Sequence, residues 1–398
     1  MKIRTHITSN ELQGTRAVEG AAKAARGSTN GNEGATKDAD GSASFGRVLE
    51  GDARDRLQEI PDESVDCIVT SPPYFRLRNY RHDAQLGLEA HVDMWVDELV
   101  GIARELRRCL KSSGSFWLNL GDSYSRGQTF GAAAKSLLLA PERLALALVA
   151  DGWILRSKVI WAKTNPLPSS TKDRLSCSYE VVYFFTKSPH YFFDLDAIRV
   201  QPKGGNTGAS AEVGARRRYV SARSIKDRGA DERRSVLGTD DSWRGPLANT
   251  NSGLADFKAR GLGAHPLGKN PGDVWSMATS NYRSAHHATY PPSLVERPIK
   301  ATCPEKVCAK CGEPWTRTVG RSIGHLAVVG ELKARCGCHE DSTPGVVLDP
   351  FLGSGTTAVV AEQLGRRWIG IEVNPEFAAL AVKRVEDARI VKAMREAA

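Results

Sequence analysis

The sequence predicts an α/β fold, a sheet of buried strands separated by helices, on three observations. Four short, largely apolar runs, at residues 65–69, 116–120, 346–349 and 368–372, lack the regular polar alternation of half-exposed strands and read as strands covered on both faces. Between such runs the apolar residues recur at helical spacing, most clearly over residues 94–110. A glycine-rich turn, Gly353-Ser354-Gly355, joins the run at 346–349 to the helix that follows it. Helices alternating with buried strands pack in layers about a sheet.

Residues 1–45 are rich in Gly, Ala, Ser, Thr, Asn and charge, with almost no aromatic or β-branched apolar side chains to offset the entropy of ordering, and are expected to form a disordered arm. From Arg47 the pattern changes: Val48-Leu49 leads to Gly51-Asp52, and an amphipathic stretch runs to Ile60. The strand at 65–69 ends in Ser71-Pro72-Pro73-Tyr74. Trp95, Leu99, Ile102, Leu106 and Leu110 share one face of a helix over 94–110, with Gly114 as its stop, and a strand over 116–120 follows. A helix over 141–150, with Pro141 in its first turn and Gly152 just past its end, leads to a strand over 154–161. Residues 180–185 and 191–193 read as two strands joined through Lys187-Ser188-Pro189, an antiparallel pair closing the sheet edge. After the strand at 346–349, a helix starts at Thr356 and runs through Leu364, and the strand at 368–372 ends in Glu372.

A chain of 398 residues with 41% hydrophobic content can bury a sizeable core. No apolar stretch approaches the roughly 18 residues needed to cross a bilayer, and the N-terminus is polar where a secretory signal needs an apolar segment, so the expectation is a cytoplasmic protein with no membrane partner. The net charge of +9 and pI near 9.1 favour a polyanionic partner. Residues 201–270 hold 13 Lys and Arg against 7 Asp and Glu, a local excess of 13 − 7 = +6, together with 11 Gly. Arg216-Arg217-Arg218 and Arg233-Arg234 can neutralise phosphates there, and the glycines let the segment wrap a duplex; a solvated loop is the alternative reading.

Eight cysteines in a chain without an export signal argue against a disulfide framework. Cys67, Cys109 and Cys177 are scattered and read as core fillers. Cys308-x-x-Cys311 and Cys336-x-Cys338 form two knuckle-like pairs, a spacing suited to four thiolates around one tetrahedral zinc ion, with Cys303 and His339 as spare ligands. Four protein ligands leave no open position, so the Zn2+ is assigned a structural role in a ribbon-like insertion with a short strand at 315–319; unligated thiols are the alternative.

Two motifs carry chemistry. In Ser71-Pro72-Pro73-Tyr74 the prolines remove two amide donors and leave carbonyl acceptors, a hydroxyl precedes them and an aromatic ring follows, as a pocket for a flipped base requires; alone, the segment also fits a rigid turn. In the second motif Gly353 and Gly355 admit a ligand close to the backbone, and Glu372 stands about 20 residues downstream at the end of the next strand, where a carboxylate can accept both ribose hydroxyls. One glycine of a dinucleotide fingerprint is missing and no Gly-Lys-Thr or Gly-Lys-Ser follows, so an adenosine cofactor without phosphates fits best.

With these motifs the sequence resembles the β class of DNA amino-methyltransferases, in which the catalytic motif precedes the cofactor motif. Ser71 to Tyr74 matches the first, and Asp349-Pro350-Phe351-Leu352-Gly353-Ser354-Gly355 the second. Similar stretches are Gly51-Asp52, Asn119-Leu120-Gly121-Asp122, Asp173-Arg174 with Glu180, and His287-Ala288-Thr289-Tyr290-Pro291. The resemblance implies a Rossmann-like, seven-stranded mixed sheet with helices on both faces, S-adenosylmethionine as methyl donor, double-stranded DNA as substrate and a cognate restriction endonuclease as companion. It implies catalytic roles for Ser71, Pro72, Pro73 and Tyr74, and cofactor contacts from Asp52, His287, Tyr290, Asp349, Pro350, Phe351, Gly353, Ser354, Gly355, Thr356, Glu372 and Asn374. In this family serine at the first motif position usually accompanies cytosine N4 products and aspartate adenine N6 products, so N4-cytosine is expected and N6-adenine is the alternative. A carbon-5 cytosine enzyme would need a nucleophilic Pro-Cys step, whereas this chain has Cys303-Pro304. RNA or protein methylation, and a non-catalytic zinc-containing DNA-binding protein, are the remaining readings.

The expected organisation is a catalytic half at 46–200, a target-recognition insert at 201–271, a cofactor half at 272–302 and 344–398, and a zinc insertion at 303–343.

Overall fold

The computed structural model describes residues 46–78, 85–201, 267–280, 290–321, 327–338 and 341–396. In chain order the strands are β1 Gly46–Glu50, β2 Val65–Thr70, β3 Leu110–Leu120, β4 Ile154–Lys163, β5 Tyr179–Thr186, β6 Val274–Met277, β7 Val307–Cys308, β8 Thr316–Arg321, β9 Ala327–Lys333, β10 Ser342–Thr343, β11 Val346–Asp349 and β12 Arg367–Glu372. The helices are α1 Ala53–Arg56, α2 Val92–Cys109, α3 Ala140–Ala150, α4 Pro292–Thr302, α5 Thr356–Gln363 and α6 Pro375–Glu396. Eight strands form the main sheet in the order β1-β12-β11-β2-β3-β5-β4-β6. Only β5 runs against the rest of this sheet.

Side chains alternate across the strands and so build two cores, one on each face. Ile68 of β2, Phe116 and Leu118 of β3, and Tyr183 and Phe185 of β5 pack with the apolar faces of α2 and α3. Cys67 and Val69, Trp117, and Val182 and Phe184 point the other way, toward α4, α5 and α6. All six residues of β2 are buried, including Asp66, whose carboxylate is paired with Lys111 at 2.7 Å and accepts the Val346 amide at 2.8 Å. Burial pushes the Asp66 carboxyl up, and those two partners counter it.

Three expectations change. The antiparallel partners of β5 are β3 and β4; residues 191–193 are not a strand, because the Phe192 amide is spent on Ser113 O and the Tyr191 and Phe193 rings pack against Phe184 instead. The helix α2 stops at Cys109, where Leu110 turns extended to bury its side chain, and Gly114 lies inside β3 rather than marking the stop. An eighth strand, β6, joins the sheet beyond the seven implied, parallel to β4, with Trp275 packed 6.1 Å from Trp117. Among the described residues no helix is long and apolar enough to cross a membrane.

The segment at 303–343 carries two small antiparallel pairs, β7 with β10 and β8 with β9. The strand expected at 315–319 is β8, shifted by a residue or two.

Candidate active site

β11 and β2 lie side by side and point the same way, but the chain leaves β11 through α5 toward β12 on one side and leaves β2 through α2 toward β3 on the other. A crevice opens at the carboxyl ends of strands where connections diverge in this manner. The two motifs are the segments that follow these strands.

Thr70, the last residue of β2, donates to Asp349 Oδ1 at 2.6 Å and so ties the motifs together across a gap of 279 residues. Asp349 also accepts from the Phe351 amide at 3.0 Å, Thr357 Oγ1 at 2.6 Å and the Tyr290 hydroxyl at 3.0 Å. Burial pushes the Asp349 carboxyl and the Tyr290 phenol up in pKa. Asp349 thus stands behind the glycine turn as the hub that joins β2, β11, α5 and Tyr290, not on the cleft wall. Gly355 is likewise a backing residue: at φ +84° it begins α5, and a Cβ there would lie 2.7 Å from the Cβ of Ala381 in α6. Arg384 of α6 holds the turn from below, donating to Ser354 O at 2.6 Å and Ser354 Oγ at 2.7 Å.

The cleft itself has an open volume of about 900 Å3, its mouth included. Asp52, Ser71, Pro73, Tyr290, Pro350, Phe351, Gly353, Ser354, Thr356, Glu372 and Asn374 all line it. Glu372 is 8% exposed and accepts the Gly353 amide at 2.7 Å and the Asn374 amide at 2.9 Å, one on each carboxylate oxygen. Burial raises its pKa, and the two amides oppose the rise. Asp52 caps α1 through the Arg54 amide at 2.8 Å and pairs with the Arg54 guanidinium at 2.6 Å. Ile371, Phe377, Gln85 and Leu86 also line the cleft. Phe377 stands in the first turn of α6, two residues after the Pro375 that starts it, and an apolar residue there was a readable signal.

Of the tetrapeptide Ser71-Pro72-Pro73-Tyr74, Ser71 and Pro73 line the cleft, whereas Pro72 and Tyr74 do not. The Pro73 carbonyl accepts from the Trp95 indole at 2.9 Å, which anchors the loop to α2, so of the acceptors expected from this motif one is engaged. The Tyr74 ring fits against Gly121, where a Cβ would come within 2.8 Å of it. Its hydroxyl joins a polar network: Ser71 Oγ donates to Tyr74 Oη at 2.9 Å, Tyr74 Oη donates to Glu180 Oε2 at 2.7 Å, and Asn119 Nδ2 donates to both Tyr74 Oη at 2.7 Å and Glu180 Oε2 at 2.8 Å. Lys163 pairs with Glu180 Oε1 at 2.6 Å. Asn119 Oδ1 is buried with no hydrogen-bond partner among the described residues. Asn119 and Glu180 belong to stretches that resemble the family; nothing in the sequence marks Lys163, which meets Glu180 only because β4 and β5 pair.

The Sγ atoms of Cys308, Cys311, Cys336 and Cys338 converge, all within 4.8 Å of one another. A tetrahedral zinc with Zn–S bonds of about 2.3 Å sets its sulfurs roughly 3.8 Å apart, so the donor set fits such an ion. The amides of Cys311 and Lys310 lower the Cys308 thiol to about 7, while its neighbours, Cys311 first, push Cys338 up to about 12. Cys303 is not among these sulfurs; it is fully buried in the core at the end of α4. His287, His339, Arg216, Arg217, Arg218, Arg233 and Arg234 lie outside the described residues.

Residues 65–383 match the family model described as DNA methylase, of the N6/N4 type. The chain is similar to the Type II methyltransferase M.SfiI of Streptomyces fimbriatus, 31% identical over 82% of this chain and 88% of the relative, and to M.Cfr9I of Citrobacter freundii, 30% identical over 87% and 90%. Among solved structures it is similar to the PvuII DNA methyltransferase, named as cytosine-N4-specific, at 21% identity and a TM-score of 0.46 over 86% of each chain.

Proposed function

The chain belongs to the N6/N4 family of DNA methylases, and on that footing we propose that it transfers a methyl group from S-adenosylmethionine to the exocyclic N4 amine of a cytosine flipped out of duplex DNA at a specific sequence. The observation that carries this reading is the hydrogen-bonding state of Ser71. Its own proton is given to Tyr74 at 2.9 Å and Asn119 Nδ2 approaches Oγ at 3.4 Å, so one lone pair of Oγ is left to accept from a substrate amine, in the same cleft that Glu372 lines.

S-adenosylmethionine supplies an activated methyl group on a sulfonium centre. Glu372, with one amide on each oxygen, keeps lone pairs for the ribose hydroxyls, and Ile371, Phe351 and Phe377 offer apolar surface for the adenine. An exocyclic amine is a poor nucleophile because its lone pair is delocalised into the ring. Hydrogen bonds to Ser71 Oγ and the Pro72 carbonyl localise that pair and stabilise the positive charge that grows on nitrogen. The base must leave the duplex to reach this geometry, at a cost of a few kcal/mol offset by stacking on Tyr74 and by pocket contacts. A neutral hydroxyl in place of a carboxylate is the reason to read cytosine rather than adenine.

The four-cysteine cluster is read as a structural zinc site, the basic segment at 201–271 as the part that engages DNA phosphates, and a restriction endonuclease of the same specificity as the companion activity. Nucleoside mass spectrometry after incubation with methyl-labelled S-adenosylmethionine and either duplex DNA or RNA tests the reading. N4-methylcytosine in DNA is expected. N6-methyladenine would reassign the base, label in RNA alone would overturn the DNA substrate, and tight DNA binding without transfer would make the chain a non-catalytic binder.

A further inference from the structure

We infer that Ser71, Tyr74 and Glu180 form a proton wire, in which Glu180 receives the proton that the target amine must lose, and that Lys163 and Asn119 hold this carboxylate in place. The inference rests on the amine-methylation reading.

The need for such a group follows from the electron count. When the amine attacks, the new N–C bond forms and the S–C bond breaks with its electrons left on sulfur, so the nitrogen carries a positive charge and one proton too many. Ser71 Oγ is the acceptor at hand, but an alcohol that gains a proton without losing its own is a strongly acidic oxonium. Here it can lose its own. The proton from nitrogen goes to Ser71 Oγ, the Ser71 proton to Tyr74 Oη, and the Tyr74 proton to Glu180 Oε2. Serine and tyrosine end neutral, the positive charge on nitrogen and the negative charge on Glu180 cancel, and the product amine is neutral.

The direction of the wire follows from the donor inventory. An ionised carboxylate only accepts, so Tyr74 must donate its single proton to Glu180 at 2.7 Å, and Asn119 must turn its amide NH2 toward both. With that proton used, the 2.9 Å contact between Ser71 and Tyr74 has Ser71 as donor. Every hydrogen therefore runs from the cleft toward Glu180. Lys163 Nζ, 2.6 Å from Oε1, sets a cation against the other oxygen of the same carboxylate and fixes its orientation. The methylated nitrogen is a strong acid, because loss of its proton restores delocalisation into the ring.

The test is single-turnover methyl transfer to duplex DNA, with S-adenosylmethionine affinity measured in parallel, for the full chain and the variants Tyr74→Phe, Glu180→Gln, the double variant, and Glu180→Asp. Tyr74→Phe keeps the ring that stacks on the base and removes only the relaying hydroxyl. Glu180→Gln keeps an acceptor oxygen and removes the base. Both single variants are expected to slow transfer about 10²- to 10⁴-fold, the range for general acid–base catalysis, with cofactor affinity within about threefold of the parent. The double variant should be no slower than either single one, since the wire is already cut, and Glu180→Asp should recover part of the rate. Parent-like transfer by Glu180→Gln or by Tyr74→Phe, multiplicative losses in the double variant, or a collapse of cofactor affinity in step with the rate would each overturn the wire. Failure of the parent chain to methylate any amine would instead overturn the reading on which it rests.

Discussion

Ser71 and Glu372 are single residues whose environments set their chemistry. Replacing Ser71 by Ala removes an acceptor aimed at developing charge; methyl transfer is expected to fall by at least about 10²-fold. Cofactor affinity, measured by calorimetry, should be nearly unchanged, and full activity would remove Ser71 from the mechanism. Glu372 makes a prediction about stability. Burial raises its pKa, so the folded protein holds that proton more tightly than the unfolded chain; the resulting stability is fully present below the ordinary glutamate range and is lost as pH rises through the raised value. Glu372→Gln removes this dependence. Denaturation midpoints of the cofactor-free protein should therefore shift in favour of the variant as pH increases above about 4.3, whatever the offset between the two at low pH. A difference that stays flat with pH would contradict the assignment. Both residues were legible in the sequence by position, one before a proline pair and one at a strand end. Asp349 was legible as a motif residue, but its part as the hub was not. The four groups that hydrogen-bond to it come from β2, the glycine turn, α5 and the segment before α4, and only folding gathers them.

At the level of elements, the turn between β11 and α5 depends on α6 passing close behind it. Gly355→Ala forces a left-handed residue at a cost of about 1–2 kcal/mol, and also drives a methyl group into Ala381. A lowered melting temperature and a weaker S-adenosylmethionine affinity are expected together, since α5 and the cleft wall begin at the same residue; loss of stability with cofactor affinity intact would show that the turn does not shape the cleft. The helical spacing of Trp95, Leu99, Ile102 and Leu106 and the apolar runs of β2, β3, β11 and β12 made these elements readable, because each has its periodicity set by one buried stripe or by burial on both faces. The end of α2 and residues 191–193 were misread for a shared reason. An aromatic, β-branched or glycine residue signals a strand or a stop only on average, and Leu110, Tyr191 and Phe193 answer instead to neighbours in the core that lie far away in sequence.

For the whole molecule, the cysteine cluster lies outside the sheet that carries the cleft. If Arg216, Arg217 and Arg218 neutralise phosphates, changing all three to Ala should flatten the plot of log affinity against log salt by about 0.9 for each phosphate left without its arginine, without altering cofactor affinity. An unchanged slope would place the phosphate-binding residues elsewhere. Stoichiometric zinc is expected in protein purified without chelator, and its removal should loosen the segment at 303–343, read as new proteolytic cleavage there, while the sheet retains its circular dichroism. Zinc well below one equivalent would count against the site. Residue type, local periodicity and short spacing were enough to place β2, α2, β3, α3, β4, β5, β11, α5 and β12 in order, and to find the two chemical motifs and the four thiols, all of which can be read along the chain. Folding in three dimensions decided that Thr70 reaches Asp349, that Lys163 and Asn119 converge on Glu180, and that Ser71 donates to Tyr74. These are pairings between strands and loops distant along the chain, and hydrogen-bond direction in such a network is a property of the assembled set of donors and acceptors rather than of any residue within it.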